Sequence, residues 1–353
     1  MASVPPLRSP AAGDALSSHW TLLPLRQVQD VVAHVYGIRG TVTRLSSERD
    51  ETFKFVAEDG TNYILKIANP FEDAAVLSFQ DGALLHLESV GSSVPVPRLI
   101  ATEDGRRSYD LRLPEGGSTR TVRLLSYLAG DQLSRLPPSV TRNRNLGSVL
   151  AALGKGLESF EGRPPAGKLL WDISHTLDLD NLIQHVGAER RKLVSDVLAE
   201  FARTVPGVRS SLKTQIIHND FNLHNILVDP AEPLEIAGII DFGDMVFAPR
   251  VNDLAVALAY HVSDDDWQGL MGAMLGGYCA ETALEEAEIA LLPVLIKARL
   301  ALTIIIPEYR AASRPENRDY IMRNHGGALL GLQRLSAMSE SEFFRFVASN
   351  CKR

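Results

Sequence analysis

A short polar stretch between apolar residues carries the side chains with the clearest capacity for chemistry. It reads IIHNDFNLHNILVD, residues 216–229, and holds His218, Asp220 and Asn225 close together. A second stretch, AGIIDFGDMVF at 237–247, has a similar form, with an apolar strand followed by an acid, Asp241. A carboxylate and an amide five residues apart, with a second carboxylate on another strand, form the oxygen-rich group that Mg²⁺ prefers.

Phosphoryl transfer from a nucleotide needs these groups and few others. A base orients the attacking hydroxyl, two residues hold Mg²⁺, and a Lys steadies the phosphates. The pattern H-x-D-x-x-x-x-N supplies Asp220 and Asn225, D-F-G supplies Asp241, and YILKI supplies Lys66 on a predicted strand. We expect the two apolar strands to pair as a hairpin that brings the three oxygen-bearing residues together. The ordered set predicts a nucleotide-dependent phosphotransferase.

The elements that must position these residues change in character along the chain. The pattern predicts a helix over 25–37 that ends at Gly37, three short strands, a helix over 74–90 and a strand over 121–128. The three strands are expected at 41–45, 52–57 and 62–68, with EDGT as a hairpin turn. From residue 127 the apolar spacing is mainly helical, over 145–160, 189–204, 252–262, 265–280, 283–306 and 317–337.

This order of elements predicts an α+β protein with two parts. Residues 21–126 are expected to form a small antiparallel β-sheet lobe, and residues 127–353 a mainly helical lobe. Residues 1–20, rich in Pro, Ala and Ser, are predicted to be a disordered tail. The apolar run at 289–306 contains Pro293 and two basic residues, which favours a buried helix over a membrane span.

Composition excludes some classes of function. The net charge of -7 argues against a nucleic-acid binder, which usually has a basic face. The two cysteines, Cys279 and Cys351, lie too far apart in sequence to indicate a disulfide framework, and this favours a reducing, cytoplasmic location. The expected partners are small molecules, with neither nucleic acid nor membrane, and self-association as a homodimer is left open.

Several motifs together resemble the aminoglycoside phosphotransferase and choline kinase superfamily. They are YILKIAN, TVRLLSYLAG, IIHNDFNLHNILVD, GIIDFGDM and RPENRDYI, and the resemblance covers about residues 25–335. It is closest to the hydroxylysine kinase branch, and the superfamily shares the protein-kinase-like two-lobed fold. The resemblance implies that Asp220 is the catalytic base and that Asn225 and Asp241 bind Mg²⁺. It also implies that Lys66 pairs with the α- and β-phosphates and that His218 braces the catalytic loop.

The resemblance further implies a nucleotide site in the first lobe. The backbone of LLSYL would form the hinge for a purine base, and the loop SSERDET would lie over the phosphates, although it has no glycine. The residues assigned to these two roles are Leu125, Ser126, Tyr127 and Leu128 for the hinge, and Ser46 and Ser47 for the loop. The donor is ATP or GTP, and hydroxylysine kinases suggest GTP.

The helix residue that pairs with Lys66 departs from the family pattern. The family places a Glu in this helix, whereas the matching position in VLSFQDGALLHL is Gln80. A Gln can accept a hydrogen bond from Lys66 but supplies no counter-charge. Asp81 or Glu88 would serve instead if the helix register differs. This departure also keeps open a different class of protein, a catalytically weak nucleotide-binding pseudokinase.

An aspartate base implies a hydroxyl acceptor. The resemblance favours 5-hydroxylysine, with another amino alcohol, a hydroxy amino acid or an aminoglycoside as alternatives. The acceptor site is predicted to draw on Trp171, Asp172, Asp244, Glu308 and Arg299. Trp171 and Asp172 are equally well explained as an apolar plug and a helix cap, and Asp253 as a cap or a support of the catalytic loop.

A third class of protein, a zinc hydrolase, is the remaining alternative. It would use His218, Asp220 and His224 as metal ligands. The further His or Cys at close spacing that zinc sites usually show is missing from this stretch. The kinase interpretation is therefore the one that the sequence supports best.

Overall fold

The computed structural model describes residues 21–47, 50–113, 119–313 and 315–351. The predicted tail at 1–20 therefore lies outside the described residues. The chain divides into two compact units, each described here by itself. The first contains the described residues up to Gly91 together with Pro95–Ala129 and Gly162–Gly167, and the second contains Ser92–Val94, Gly130–Glu161 and the described residues from Lys168 onward.

The first unit is built on a five-stranded sheet in which neighbouring strands are antiparallel. Its elements are helix α1 (Leu25–Tyr36), strands β1 (Gly40–Leu45), β2 (Glu51–Ala57) and β3 (Asn62–Ile67), helix α2 (Ala74–Ser89), and strands β4 (Tyr109–Arg112) and β5 (Thr119–Ser126). The order of the strands in the sheet is β1-β2-β3-β5-β4. The predicted strands and helices of this unit are confirmed. Strand β4 was not predicted, because four residues at the edge of a sheet carry too little apolar alternation.

Alternation along β2 and β3 separates a core face from a polar face. Phe53, Phe55 and Leu65 are fully buried and pack in one cluster with Val28 of α1. Lys66 has the opposite orientation to Leu65, since successive side chains of a strand point to opposite faces. Gly37 has φ +66° and ends α1, and glycine takes this left-handed conformation without a Cβ clash. The core face thus fixes the register that presents Lys66.

A buried ion cluster joins the start of the described chain to this sheet. Glu51 accepts from Arg120 Nη1 at 2.6 Å, and Arg44 forms a second ion pair with Glu51. The backbone N–H of Leu23 donates to both carboxylate oxygens of Glu51, and Arg44 Nη2 donates to the Leu23 carbonyl at 2.7 Å. Glu51 and Arg120 are 3% and 1% exposed, so each charge depends on these partners.

The second unit is mainly helical with two small sheets. Strand β7 (Thr214–Ile217) pairs with β10 (Val246–Pro249), and the other sheet has the order β6-β8-β9, formed by Asp131–Gln132, Ile226–Val228 and Ile236–Ile239. Its helices are α3 (Val140–Leu157), α4 (Ala188–Thr204), α5 (Val251–Ala259), α6 (Trp267–Glu281), α7 (Glu286–Ser313), α8 (Arg318–Ile321), α9 (His325–Ser336) and α10 (Glu340–Cys351). The helix predicted over 317–337 is broken between α8 and α9.

Short 3₁₀ segments connect these elements. They span Leu133–Arg135, Ile173–His185, Arg209–Ser211, Phe242–Asp244 and Pro315–Asn317. The segment Ile173–His185 contains a kink at His175, where φ and ψ leave the helical range. The sequence did not predict this segment, because its apolar residues do not follow a 3.6-residue period.

The long apolar run forms α7, a helix of 28 residues. By length and composition this helix could cross a membrane, but 89% of its most apolar window is buried inside the protein. The predicted buried helix is thus confirmed. Burial on every side explains the nearly continuous apolar sequence.

Helices α3 and α6 approach closely through glycines. A Cβ added to Gly147 would lie 2.0 Å from the Met274 carbonyl oxygen, and one added to Gly277 would lie 1.9 Å from the Arg144 carbonyl oxygen. Ser148 Oγ also donates to the Gly277 carbonyl at 3.2 Å. The two backbones pack against each other because neither glycine carries a side chain.

Candidate active site

Two loops of the second unit carry the predicted catalytic residues. The first joins β7 to β8 and contains residues 218–225, and the second joins β9 to β10 and contains Asp241. The predicted hairpin between the strands before Asp220 and Asp241 is wrong, because β7 pairs with β10 whereas β9 pairs with β8. Strand β8 begins directly after Asn225 and is the nearest partner of β9 along the chain. The backbone N–H of Ile240 donates to the Asn225 carbonyl at 2.9 Å, which joins the two loops.

Each loop contains a non-glycine residue in the left-handed backbone region. Asn219 has φ +63° and Asp241 has φ +66°. Asp253 Oδ1 accepts from the Asn219 N–H at 2.7 Å, and its Oδ2 accepts from the His218 N–H at 3.1 Å. Asp253 is 4% exposed. Of the two interpretations of Asp253, support of the catalytic loop is therefore the one that the structure favours.

His218 connects the two loops through both ring nitrogens. Its Nε2 lies 3.2 Å from the Ile240 carbonyl, and its Nδ1 accepts from the Asp220 N–H at 3.3 Å. A carbonyl only accepts, so Nε2 carries the proton and the ring is neutral. Burial lowers the pKa of His218, in agreement with a neutral ring. The ring packs edge-on against Phe242 with centroids 4.8 Å apart.

The Asp220 carboxylate is held from two sides. Asn225 Nδ2 donates to Oδ2 at 2.7 Å, and Arg299 Nη2 donates to Oδ1 at 3.2 Å. About a fifth of the Asp220 side chain, 20%, is exposed. Burial, followed by the negative charge of Asp244, raises the pKa of Asp220 to about 7, and the charge of Arg299 opposes this rise. The site thus presents a fixed carboxyl group that titrates near neutral pH.

Arg299 is itself enclosed by aromatic residues. It is 2% exposed, and its Nη2 also donates to the Tyr260 hydroxyl at 3.0 Å. Nη1 donates to the Trp171 carbonyl at 3.1 Å, and the guanidinium carbon lies 5.2 Å from the Trp171 ring centroid. Sequence reasoning missed Tyr260. It follows Asp253 by seven residues, which places both on one helical face, and this spacing could have found it.

The other acceptor candidates lie in different settings. Asp172 is buried and its Oδ1 accepts from the Ser174 N–H at 2.8 Å, so it caps the 3₁₀ segment. Asp244 lies beside the catalytic loop, where its backbone carbonyl accepts from Asn219 Nδ2 at 3.1 Å. The structure brings Arg299 and the charge of Asp244 to Asp220, and Trp171 contacts Arg299, whereas Asp172 serves the local backbone.

Glu308 belongs to a separate cluster. Its carboxylate accepts from the Gly187 N–H at 2.7 Å and from Arg190 Nε at 2.8 Å, and it lies 2.7 Å from His325 Nε2. Glu308 follows Arg299 by nine residues in α7, and this spacing places the two side chains on opposite faces of the helix. The structure does not bring Glu308 to Asp220.

In the first unit, Lys66 lies on β3, and its charge acts on Asp81 of α2. Gln80, the predicted partner of Lys66, accepts instead from Arg123 Nη1 at 3.2 Å. Asp81 accepts from the same nitrogen at 2.8 Å. Burial raises the pKa of Asp81, and the nearby charges of Arg123 and Lys66 lower it in part. Glu88 is exposed. Of Gln80, Asp81 and Glu88, Asp81 is the residue on which the charge of Lys66 acts.

The predicted hinge continues from the end of β5. Ser126 pairs with Tyr63, and its N–H donates to the Arg98 carbonyl at 2.8 Å. Leu125 pairs with Ile64, while Tyr127 and Leu128 follow the strand. Lys54 Nζ lies 4.8 Å from the Tyr127 ring centroid.

The predicted phosphate loop begins directly after β1. Ser46 and Ser47 are exposed there. The next two residues of the loop, 48 and 49, lie outside the described residues. Asp50 directly precedes β2, and the last two residues of the predicted loop, Glu51 and Thr52, belong to this strand.

The residues of the two loops fit a hard cation. Asn225 uses its Nδ2 to bind Asp220, so its amide Oδ1 is the atom that it can offer to a metal. Asp241 is exposed and adds a carboxylate. An amide oxygen with a carboxylate suits Mg²⁺. His218 uses both ring nitrogens in the hydrogen bonds above, so the alternative zinc site does not form with this arrangement.

Known proteins resemble this chain over most of its length. A hydroxylysine kinase from Danio rerio is 28% identical over 334 residues, which cover 90% of this chain and 93% of that protein. The solved structure of a microcompartment-associated aminopropanol kinase matches with a TM-score of 0.68 at 21% identity, over 94% of this chain and 99% of that one. An amicoumacin kinase in complex with AMP-PNP, Ca²⁺ and Ami matches with a TM-score of 0.68 at 15% identity, over 91% and 97%.

The family resemblance and the predicted kinase-like α+β fold are both confirmed by these matches. The model of the family described as "Phosphotransferase enzyme family" matches residues 41–291, well over half of the chain. The chain therefore belongs to this phosphotransferase family and is a small-molecule kinase that transfers a phosphoryl group from a nucleotide to an alcohol.

Proposed function

We propose that this kinase phosphorylates the hydroxyl of 5-hydroxylysine, with ATP or GTP as donor and Mg²⁺ as metal. The observation that carries the acceptor is the similarity to hydroxylysine kinase over 90% of the chain. A second observation, the charge of Asp244 close to Asp220, is in keeping with an acceptor that bears an ammonium group. Cytoplasmic location and self-association stay predictions from the sequence.

Asp220 is proposed as the catalytic base. The acceptor hydroxyl gives its proton to the Asp220 carboxylate while its oxygen forms a bond to the γ-phosphorus. The bond between this phosphorus and the β–γ bridging oxygen breaks, and the nucleoside diphosphate leaves. Because the transition state of such transfers is loose, the main task of the base is to orient the hydroxyl. Asn225 and Arg299, one on each carboxylate oxygen, hold Asp220 for this task.

Asn225 and Asp241 are proposed to hold Mg²⁺. When bound, the metal neutralises charge on the phosphates and helps to orient them. In the first unit, Lys66 is proposed to pair with the α- and β-phosphates. The backbone from Leu125 to Leu128 would bind the purine base, and the loop that starts at Ser46 and Ser47 would contact the phosphates.

Arg299 is given a different role from the one predicted. The sequence placed it among the acceptor-site residues, where an arginine could bind an acceptor carboxylate through two hydrogen bonds. Its Nη atoms are already bound to Asp220, Tyr260 and Trp171. We therefore assign Arg299 to the positioning of Asp220. Trp171, which is half-buried and lies beside Arg299, is proposed as a wall of the acceptor site.

A coupled assay of nucleotide consumption tests the proposal. The acceptors are 5-hydroxylysine, lysine, homoserine, ethanolamine and an aminoglycoside, each with ATP and with GTP. We expect the highest kcat/KM with 5-hydroxylysine and no stimulation by lysine, which differs only by the hydroxyl. Higher kcat/KM with another acceptor would reject 5-hydroxylysine but keep the kinase chemistry.

Asp220→Ala separates catalysis from nucleotide binding. Turnover should fall by about a thousandfold or more, since proton transfer and orientation are both lost, while nucleotide affinity stays within about twofold. If no acceptor stimulates turnover of the native protein and Asp220→Ala binds nucleotide equally well, the pseudokinase alternative is favoured.

A further inference from the structure

The lysine of β3 has a second cation beside it. Lys66 and Arg123 are register partners on the adjacent antiparallel strands β3 and β5, so both side chains leave the same face of the sheet. Arg123 is only 3% exposed. A buried guanidinium is tolerated where anions and polar groups surround it. The hydrogen-bond and ion-pair partners of Arg123 therefore show which segments are bound to this face of the sheet.

Those partners come from two other segments. Arg123 Nη1 donates to Asp81 Oδ1 at 2.8 Å and to Gln80 Oε1 at 3.2 Å, both in α2. Its Nη2 lies 3.9 Å from Asp50 Oδ2, immediately before β2. The side chains of Asp50 and Asp81 are 12% and 13% exposed. Arg123 thus binds the helix and the end of the predicted phosphate loop to the strand next to Lys66.

Asp81 of α2 interacts differently with Arg123 and with Lys66. Asp81 is within hydrogen-bond distance of Arg123, and Lys66 acts on it through its charge. Two cations on one face repel each other, and the nearby carboxylates of Asp81 and Asp50 lower this repulsion. Among the described residues, Asp81 gives its hydrogen bond to Arg123, and its interaction with the Lys66 ammonium is through charge.

We propose that Arg123, and not Lys66, anchors α2 to the sheet, and that this leaves the Lys66 ammonium to the phosphates of the nucleotide. Arg123 is then a positioning residue for nucleotide binding. It takes over the anchoring that a lysine–glutamate pair would otherwise provide. This inference rests on the proposed role of Lys66 at the phosphates.

Nucleotide affinity, measured without any acceptor, tests this role. The dissociation constants of AMP-PNP and GMP-PNP with Mg²⁺ are measured by calorimetry, together with the thermal midpoint of each variant. Arg123→Met should raise the dissociation constant of the tighter-binding nucleotide by about tenfold, which corresponds to about 1.4 kcal/mol. Arg123→Lys keeps the charge but loses the guanidinium that binds Asp81 and Gln80 together. Its affinity for the nucleotide should therefore lie between those of Arg123→Met and the native protein.

Double variants identify the partner of Asp81. If Arg123 is the partner, Asp81→Asn should weaken binding about as much as Arg123→Met, and the double variant should be no weaker than either. Asp81→Asn and Lys66→Met should then be multiplicative in their effects. The opposite pattern, with Asp81 coupled to Lys66 and independent of Arg123, would overturn the proposal.

A stability control separates positioning from general loosening of α2. Leu77 is buried in α2 and takes no part in the polar contacts, so Leu77→Ala should lower the thermal midpoint without a comparable loss of affinity. Equal loss of affinity in Leu77→Ala and Arg123→Met at matched stability contradicts the inference, as does unchanged affinity in Arg123→Met. Failure of the native protein to bind either nucleotide would instead contradict the proposed function.

Discussion

The guanidinium of Arg299 in α7 donates to Oδ1 of Asp220 at 3.2 Å, across 79 residues of sequence. The same nitrogen donates to Tyr260, so the proposed base is fixed through a buried cation that the aromatic residues enclose. The orientation of Asp220 therefore depends on a helix far from its own loop.

Arg299→Met should lower kcat by about ten- to a hundredfold, because a charged hydrogen bond contributes about 1.5–3 kcal/mol. Steady-state kinetics with a saturating acceptor measures this effect. Tyr260→Phe removes one acceptor of Arg299 and leaves Asp220 bound, so its loss should be smaller. A rise in the KM for the acceptor with an unchanged kcat would show that Arg299 reads the substrate instead.

Asp253→Asn should destabilise the protein by about 1–3 kcal/mol, because one of the two loop amides loses its acceptor in a buried site. Urea unfolding measures the change, and kcat should fall with it because the loop carries Asp220. Asp180 is exposed, so Asp180→Asn is the matched control and should change stability by no more than about 0.5 kcal/mol. Equal stability of the two variants would remove the support role of Asp253.

Buried His261 should make stability depend on pH. Burial lowers its pKa to about 4, so the unfolded chain binds more protons between this value and the ordinary pKa near 6.5. The contribution of His261 is complete above pH 6.5 and is lost progressively as the pH falls toward 4, by up to about 3 kcal/mol. Urea unfolding at several pH values should show that the free energy of unfolding depends less steeply on pH in His261→Gln than in the native protein. The same dependence on pH in both proteins would contradict the predicted contribution of His261.

Gly147→Ala should destabilise the protein strongly, because the new Cβ would lie 2.0 Å from a backbone oxygen of α6, which cannot move aside as a side chain can. The loss should exceed about 2 kcal/mol in urea unfolding. Gly154 lies in the same helix, and its nearest neighbour would be 3.7 Å from the added Cβ. Gly154→Ala should therefore be neutral or stabilising by up to about 1 kcal/mol. A similar result for both variants would mean that α3 and α6 are not in close contact.

Local patterns predicted the elements that local forces determine. The alternation in β2 and β3 and the turn between them gave the hairpin, because each side chain there reports which face is buried. Asp220 and Asn225 are in contact as expected, although the hairpin from which this proximity was predicted does not form. The pairing of β7 with β10 could not be predicted, because two equally apolar strands compete for each partner.

The sequence does not predict the contacts between segments that are far apart along the chain. Arg299 lies in a helix that is apolar on all sides, so the pattern contained no face from which to infer its direction. The sequence predicts a strand position for Arg123 and matches Gln80 to the helix Glu of the family, and neither pattern indicates that the two residues are in contact. Whether Lys66 or Arg123 contacts α2 depends on the order of the strands and the length of the side chains. The spacing of residues in α2 predicts neither.

The contact of Leu23 with the Glu51 cluster sets a practical limit on shortened forms of this protein. Two of the groups that surround Glu51 and Arg44 are the main-chain amide and carbonyl of Leu23. A truncated protein for crystallisation should therefore start upstream of this residue. Removal of Leu23 would open a carboxylate in the interior of the first unit to solvent, and would loosen the start of the strand that follows the predicted phosphate loop.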